Sequence, residues 1–233
     1  MWSPIRTADG GLPSKWANRP ACPTPPFLLL ARYAILIDGG FVSRKLGTGT
    51  APMTAKTLYE FTDRLRGDPL LNGSRLHRIY YYDATPLSGR QKKPLKGEEL
   101  DFSSHPRAIR QRQLYEELSR YPYVAIRSGE CTFGGWAVQP YKLKTNVDAV
   151  QIGPGDLRPL INQKGVDMRI GMDIAALTLK KLVEVIVLVT GDSDFVPAMK
   201  FARREGAQLF LAPMGHGIRE AMYEHSDVVL SVT

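Results

Sequence analysis

Tyr33-Ala-Ile-Leu-Ile-Asp38-Gly-Gly40 and Val185-Ile-Val-Leu-Val-Thr-Gly-Asp192-Ser-Asp194 decide the fold. Each is a short apolar run that stops at a carboxylate, the pattern of a strand buried on both faces. Helical spacings alternate with further short apolar strands around them, which argues an α/β fold with a mainly parallel sheet covered on both sides. Carboxylates at the C-terminal ends of such strands stand where open α/β sheets build their sites. Asp167 and Asp173 lie between the two runs in sequence. Several carboxylates converging at one place repel one another unless a cation or a raised pKa compensates. That points to a divalent metal, and a divalent metal on carboxylates points to phosphoryl chemistry.

Working outward, Arg32–Asp38 opens the folded part, and residues 1–31, rich in Pro, Gly and Ser, read as a disordered extension. Gly39-Gly40 reads as a tight exit from the first strand. Leu58, Phe61 and Leu65 give helical spacing over Thr54–Arg66, and Leu76–Asp83 reads as a second strand. Pro86–Phe102 reads as a flexible basic loop carrying Arg90, Lys92, Lys93 and Lys96. Ser104 is the expected cap of a helix that begins at Pro106 and runs to about Arg120, with Arg107, Arg110 and Arg112 on its early turns. Tyr123–Gly129 and Trp136–Leu143 read as a hairpin across Phe133-Gly-Gly135, and 145–163 as irregular. The remainder reads as helix Asp167–Val183, strand Val185–Thr190, helix Phe195–Glu205, strand Gln208–Ala212, helix Ile218–Glu224 and strand Val228–Val232. Residues 32–233 thus read as one domain with an insert at about 84–163.

The charge balance is basic: 31 Lys and Arg against 23 Asp and Glu give a net charge of +8. A basic whole around an acidic centre suits a polyanionic partner, and nucleic acid is the commonest one. Cys22 and Cys131 have no zinc spacing and form no disulfide framework, so a reducing cytoplasm is the expected compartment. Phe27–Ala31 is too short to span a bilayer, and the prolines before it argue against an export signal. Neither a phosphate-binding GxxxxGK[ST] loop nor a GxSxG elbow occurs.

Each carboxylate has a structural alternative. Asp38, Asp83 and Asp167 sit where a turn or helix cap would use them, and one of Asp192 and Asp194 can serve as an N-cap. Asp173 is harder to explain that way. It lies on the face of its helix shared by Ile170, Ile174 and Leu177, where a carboxylate is costly unless paired or bound to metal. Among Tyr80, Tyr81 and Tyr82, which alternate faces, packing is the expected role for at least one. His216 sits on a loop after a strand, where solvent exposure is the simplest account.

Ile37-Asp38-Gly39-Gly40, Tyr82-Asp83-Ala84, Lys164-Gly165-Val166-Asp167 with Asp173 six residues on, and Thr190-Gly-Asp192-Ser-Asp194-Phe195 occur in that order. In this combination the chain resembles the NYN domain family, the LabA-like branch of the PIN-like nucleases. The resemblance implies a PIN-like three-layer α/β/α sandwich, an acidic pocket that binds Mg²⁺ or Mn²⁺, and RNA as substrate. By position it implies catalytic roles for Asp38, Asp167, Asp173, Asp192 and Asp194, with Asp38, Asp167, Asp192 and Asp194 as metal ligands. The expected activity is metal-dependent RNA hydrolysis. Substrate contacts are expected at Asp83, Arg90, Lys92, Lys93, Arg107, Arg110, Lys164 and Ser193. The alternatives are a catalytically silent RNA-binding module and a metal-dependent phosphatase. The chain departs from the family's IDGxN pattern by carrying Phe41 where many members have Asn. No membrane partner is expected, and homo-oligomerisation is left open.

Overall fold

The computed structural model describes residues 31–143 and 146–232; residues 1–30, read above as part of a disordered extension, lie outside them. The first half comprises β1 (Arg32–Asp38), α1 (Gly39–Leu46), α2 (Ala55–Arg66), β2 (Arg75–Thr85), β3 (Arg90–Lys92), β4 (Glu99–Asp101) and α3 (Pro106–Leu118). The second comprises β5 (Val124–Val138), β6 (Leu157–Lys164), α4 (Val166–Leu179), β7 (Val185–Val189), α5 (Val196–Arg204), β8 (Gln208–Leu211), α6 (Glu220–Glu224) and β9 (Val228–Val229). Seven strands form one sheet in the order β6-β5-β2-β1-β7-β8-β9, while β3 and β4 pair as a separate antiparallel hairpin. Every neighbouring pair in the large sheet is parallel except β5 with β6.

The period of two along β1 divides the core. Ile35 and Ile37 enter one apolar cluster with Val42, Leu58, Phe61 and Leu118, whereas Ala34 and Leu36 enter another with Ile170, Ile174, Met199 and Met222. Helices α1, α2 and α3 therefore cover one face and α4, α5 and α6 the other, giving the expected three-layer α/β/α sandwich. From β1 the chain builds outward through β2 and β5 on the first face. It then crosses to the second and builds through β7, β8 and β9. The connections change face between β1 and β7, which leaves a crevice at the C-terminal ends of those two strands.

Several local expectations are corrected. Gly39-Gly40 is not an exit loop but the first turn of α1, which Asp38 caps by accepting the Phe41 N–H at 3.0 Å. A Cβ at Gly39 would stand 2.6 Å from the Tyr82 carbonyl oxygen and 2.7 Å from the Tyr81 ring, so only glycine lets α1 start this close to β2. The basic loop is not structureless, because it folds into the β3–β4 hairpin. His105, not Ser104, caps α3. The two strands expected around Gly134 are one long strand, β5, with an irregularity between Phe133 and Trp136. The stretch expected to be irregular supplies its partner β6, an edge strand, where Pro159 is tolerated. Helix α4 stops at Leu179, short of Val183, because the chain turns at Lys181 with φ of 50°. No helix among the described residues is long and apolar enough to cross a membrane.

Candidate active site

The crevice between β1 and β7 contains a cleft of about 170 Å³ lined by Asp38, Asp83, Asp167 and Asp192, together with Arg44 and Gln163. Asp38 ends β1, Asp83 lies near the end of β2, Asp192 follows β7, and Asp167 is in the first turn of α4. The αL conformation of Gly165, φ 78°, turns the chain from the edge strand β6 into α4 and so brings Asp167 over the sheet's C-terminal edge. Thr190, fully buried, ties two of the segments together. Its hydroxyl donates to Asp38 Oδ2 at 3.1 Å and accepts the Asp192 N–H at 3.1 Å. Asp83 is buried and held by the Gln111 side-chain amide at 3.0 Å and by the Ala84 N–H at 2.8 Å.

The cleft carries more negative charge than it neutralises. Burial pushes the Asp38 carboxyl up; the Phe41 N–H, the Thr190 hydroxyl and Arg44 oppose that, and the Asp192 charge adds to it. Burial likewise raises Asp83, against the hydrogen bonds from Ala84, Tyr81 and Gln111 and with the Asp38 charge. Asp167 is raised by lost hydration and by the charges of Asp38, Asp192 and Asp194. Arg44 is the one cationic side chain in the lining. Hard oxygen donors with surplus negative charge fit a divalent cation of the Mg²⁺ or Mn²⁺ type. Among the described residues no three His, Cys, Asp or Glu side chains are gathered as a ready-made metal cage. The donor set therefore suits an ion that takes one or two carboxylates and completes its shell with water and substrate oxygens, as Mg²⁺ commonly does.

Three of the five expected catalytic aspartates, Asp38, Asp167 and Asp192, line the cleft, and Asp83 joins them. Asp194 lies outside the lining and acts on Asp167 through its charge; its N–H donates to Asp192 Oδ1 at 2.9 Å, so Asp192 is the cap here. Ser193 begins that same 3-10 turn. Asp173 stands apart from the cleft, and the argument that it lacks a partner is corrected. Its Oδ2 accepts the Tyr82 hydroxyl at 2.8 Å and the Arg127 Nε–H at 3.0 Å. Lys164 ends β6 opposite Glu130. Arg90 and Lys92 lie on β3, where Arg90 approaches Glu99 at 3.8 Å and Asp101 at 3.9 Å. Lys93 sits over the Trp136 ring at 5.6 Å. Arg107 and Arg110 are exposed on α3. Phe41 is buried in the core with its ring edge-on to His216, and it does not line the cleft.

Sequence reasoning missed Thr190, Arg44 and Gln163. The signal for Thr190 was present, since it is the one polar residue between the apolar run of β7 and Gly191. Arg44 gave none, because its place in the cleft depends on α1 starting directly after Asp38.

The model of the family described as "NYN domain" matches residues 32–229 of the chain. An uncharacterized protein of Methanocaldococcus jannaschii is 25% identical over 116 residues, 50% of this chain and 48% of that protein. The chain thus matches about half the length of that relative. A crystal structure of a protein of unknown function from Vibrio parahaemolyticus superposes with a TM-score of 0.47 at 12% identity, over 88% of this chain and 94% of that one.

Proposed function

The chain belongs to the NYN domain family, whose PIN-like fold is that of a nuclease, and on that premise we propose that it hydrolyses RNA with the help of Mg²⁺ or Mn²⁺. The observation that carries the reading is the meeting of Asp38, Asp83, Asp167 and Asp192, from four separate chain segments, in one cleft at the switch point of the sheet. One or two of Asp38, Asp167 and Asp192 would hold the cation directly, with the remaining carboxylate and Asp194 adding to the field. When bound, it would lower the pKa of a water and offset charge on the scissile phosphate. The protein's own part is positional. Thr190 fixes Asp38 and Asp192 relative to one another, Gln111 fixes Asp83, and Arg44 offers a cation to a phosphate oxygen. Asp173 supports β5 and α4 through Arg127 rather than the reacting atoms. Arg90, Lys92, Lys93, Arg107 and Arg110 supply positive surface for the RNA backbone.

The test is cleavage of single-stranded and structured RNA in Mg²⁺, Mn²⁺ or EDTA, comparing the native chain with Asp38→Asn and Asp192→Asn. Each substitution, and EDTA, is expected to lower turnover by about 100-fold or more, the scale of a lost group that stabilises transition-state charge. Turnover indifferent to EDTA and to both substitutions would overturn the proposal. A catalytically silent RNA-binding module is the second reading, favoured by Phe41 standing where many members of the family carry Asn; its signature is RNA binding without turnover in either metal. Hydrolysis of small phosphoesters without RNA cleavage would point instead to a phosphatase.

A further inference from the structure

A second and larger cavity, of about 670 Å³, opens beside the acidic cleft, and the chemistry proposed above does not use it. It lies between the early turns of α3, the stretch just after β4, and β6. Gln163 lines both cavities, and Gln111, in the wall of the larger one, bonds Asp83 of the smaller. The two are therefore contiguous and opposite in character. The larger has no carboxylate in its lining, and Arg107 is its one permanent charge.

Its surface combines flat apolar area with a few fixed polar groups, the composition of a built ligand site, and its size is within the roughly 300–1,000 Å³ of such sites. Leu87, Leu100 and Ile161 supply apolar wall, with Ile161 45% exposed, whereas Phe102 is buried. His105 Nδ1 accepts the Arg107 N–H at 3.2 Å, so the neutral ring carries its proton on Nε2 and can donate from there. The Gln111 amide nitrogen already donates to Asp83 Oδ2 and, at 2.8 Å, to the Ala84 carbonyl, which leaves its oxygen as an acceptor to offer. One donor, one acceptor, a cation and an apolar wall match an unpaired nucleotide: a base with a polar edge and a phosphate.

We propose that this cavity is a nucleotide subsite, which takes an unpaired RNA nucleotide beside the acidic cleft. The base lies against Leu100 and Ile161, its edge meets His105 and Gln111, and its phosphate lies beside Arg107. The assignment rests on the nuclease reading for what occupies the cleft.

The test uses the full chain carrying Cys22→Ser, so that Cys131 is its one thiol, with labelled tetranucleotides of A, C, G or U in EDTA. Cys131 lines the cavity, and bound RNA is expected to protect it from alkylation, read by mass spectrometry. Affinities for the four bases are expected to differ by about tenfold, the scale of base-specific contacts. Ala108→Phe, which sets a phenyl ring at the cavity wall, should weaken binding about tenfold and level the four affinities. Ile161→Ala, at an exposed position that does not endanger folding, should weaken binding about threefold. Unprotected Cys131, with both variants binding as the parent does, would overturn the subsite; cleavage abolished by Asp38→Asn would then leave the nuclease reading standing. Protection and base preference without turnover in Mg²⁺ or Mn²⁺ would support the subsite and overturn the nuclease reading.

Discussion

Asp167 is the residue at which the cost of the acidic cleft is most directly measurable. Its carboxyl is raised in the folded protein by lost hydration and by Asp38, Asp192 and Asp194. A carboxyl with a raised folded pKa binds its proton more tightly in the native state. Stability is therefore fully present below the unfolded pKa and declines as pH rises through the folded one. Asp167→Asn removes that penalty. Its urea midpoint is expected to exceed that of the parent at about pH 7, with the difference vanishing at about pH 3, where both states are protonated. Equal midpoints at both pH values would show that the three neighbouring charges do not act on it. Thr190→Val tests the opposite kind of residue, one that holds charges in place. Losing the hydroxyl bridge between Asp38 and Asp192 should cost about 1–2 kcal/mol of stability and weaken Mn²⁺ binding about tenfold. Calorimetric titration with Mn²⁺ reads the second effect, and unaltered affinity would remove Thr190 from the site.

At the level of elements, α1 carries the most weight, because it must start without a linker for Asp38 to act both as its cap and as the head of the cleft. Gly39→Ala places a methyl against the Tyr82 carbonyl and the Tyr81 ring, and overpacking of this kind costs about 1–3 kcal/mol. The same variant should lose RNA cleavage in parallel, since moving α1 away from β2 moves Asp38 and Arg44 together. A stable Gly39→Ala protein with full activity would refute this account of the strand-to-helix junction. The junction also shows where the sequence was legible. Continuous apolar runs announced β1 and β7, and an apolar run at helical spacing announced α2, because burial on both faces or on one stripe leaves a local signature. Helix α1 was not legible, since paired glycines read as a turn until the Asp38 cap and the close approach to β2 are known. Strand β6 was hidden by Pro159 and by the lack of a continuous or alternating apolar run, and its mostly exposed residues suit the edge position it takes. Asp173 looked unpartnered for a related reason. Its partners Tyr82 and Arg127 lie 91 and 46 residues away, and nothing local couples them.

The whole molecule sets an acidic cleft in a chain of net charge +8, and the position of the positive charge decides how a polyanion can approach. Carboxylates at the centre repel phosphate unless a cation intervenes, so attraction must come from the surroundings. The β3–β4 hairpin and the segment joining its strands bring Lys92, Lys93 and Lys96 together, and Lys93 also lies over Trp136 on β5. The hairpin is anchored at its base by the Phe102 N–H to the Gly89 carbonyl at 3.0 Å, so it presents these charges as a unit. If RNA crosses it, each lysine that neutralises a phosphate adds about 0.7 to the slope of log affinity against log salt for a single strand. Replacing all three by Gln should then flatten that slope by up to about 2, and it should weaken binding most at low salt. Substitution at the surface leaves Thr190, Asp38 and Asp192 untouched, so cleavage at saturating RNA should persist while the concentration needed for half-saturation rises. Fluorescence anisotropy in EDTA across a salt series measures the slope, and turnover in Mn²⁺ measures the rest. An unchanged slope would mean that the RNA path avoids the hairpin and runs along the Arg107 and Arg110 side of α3 instead.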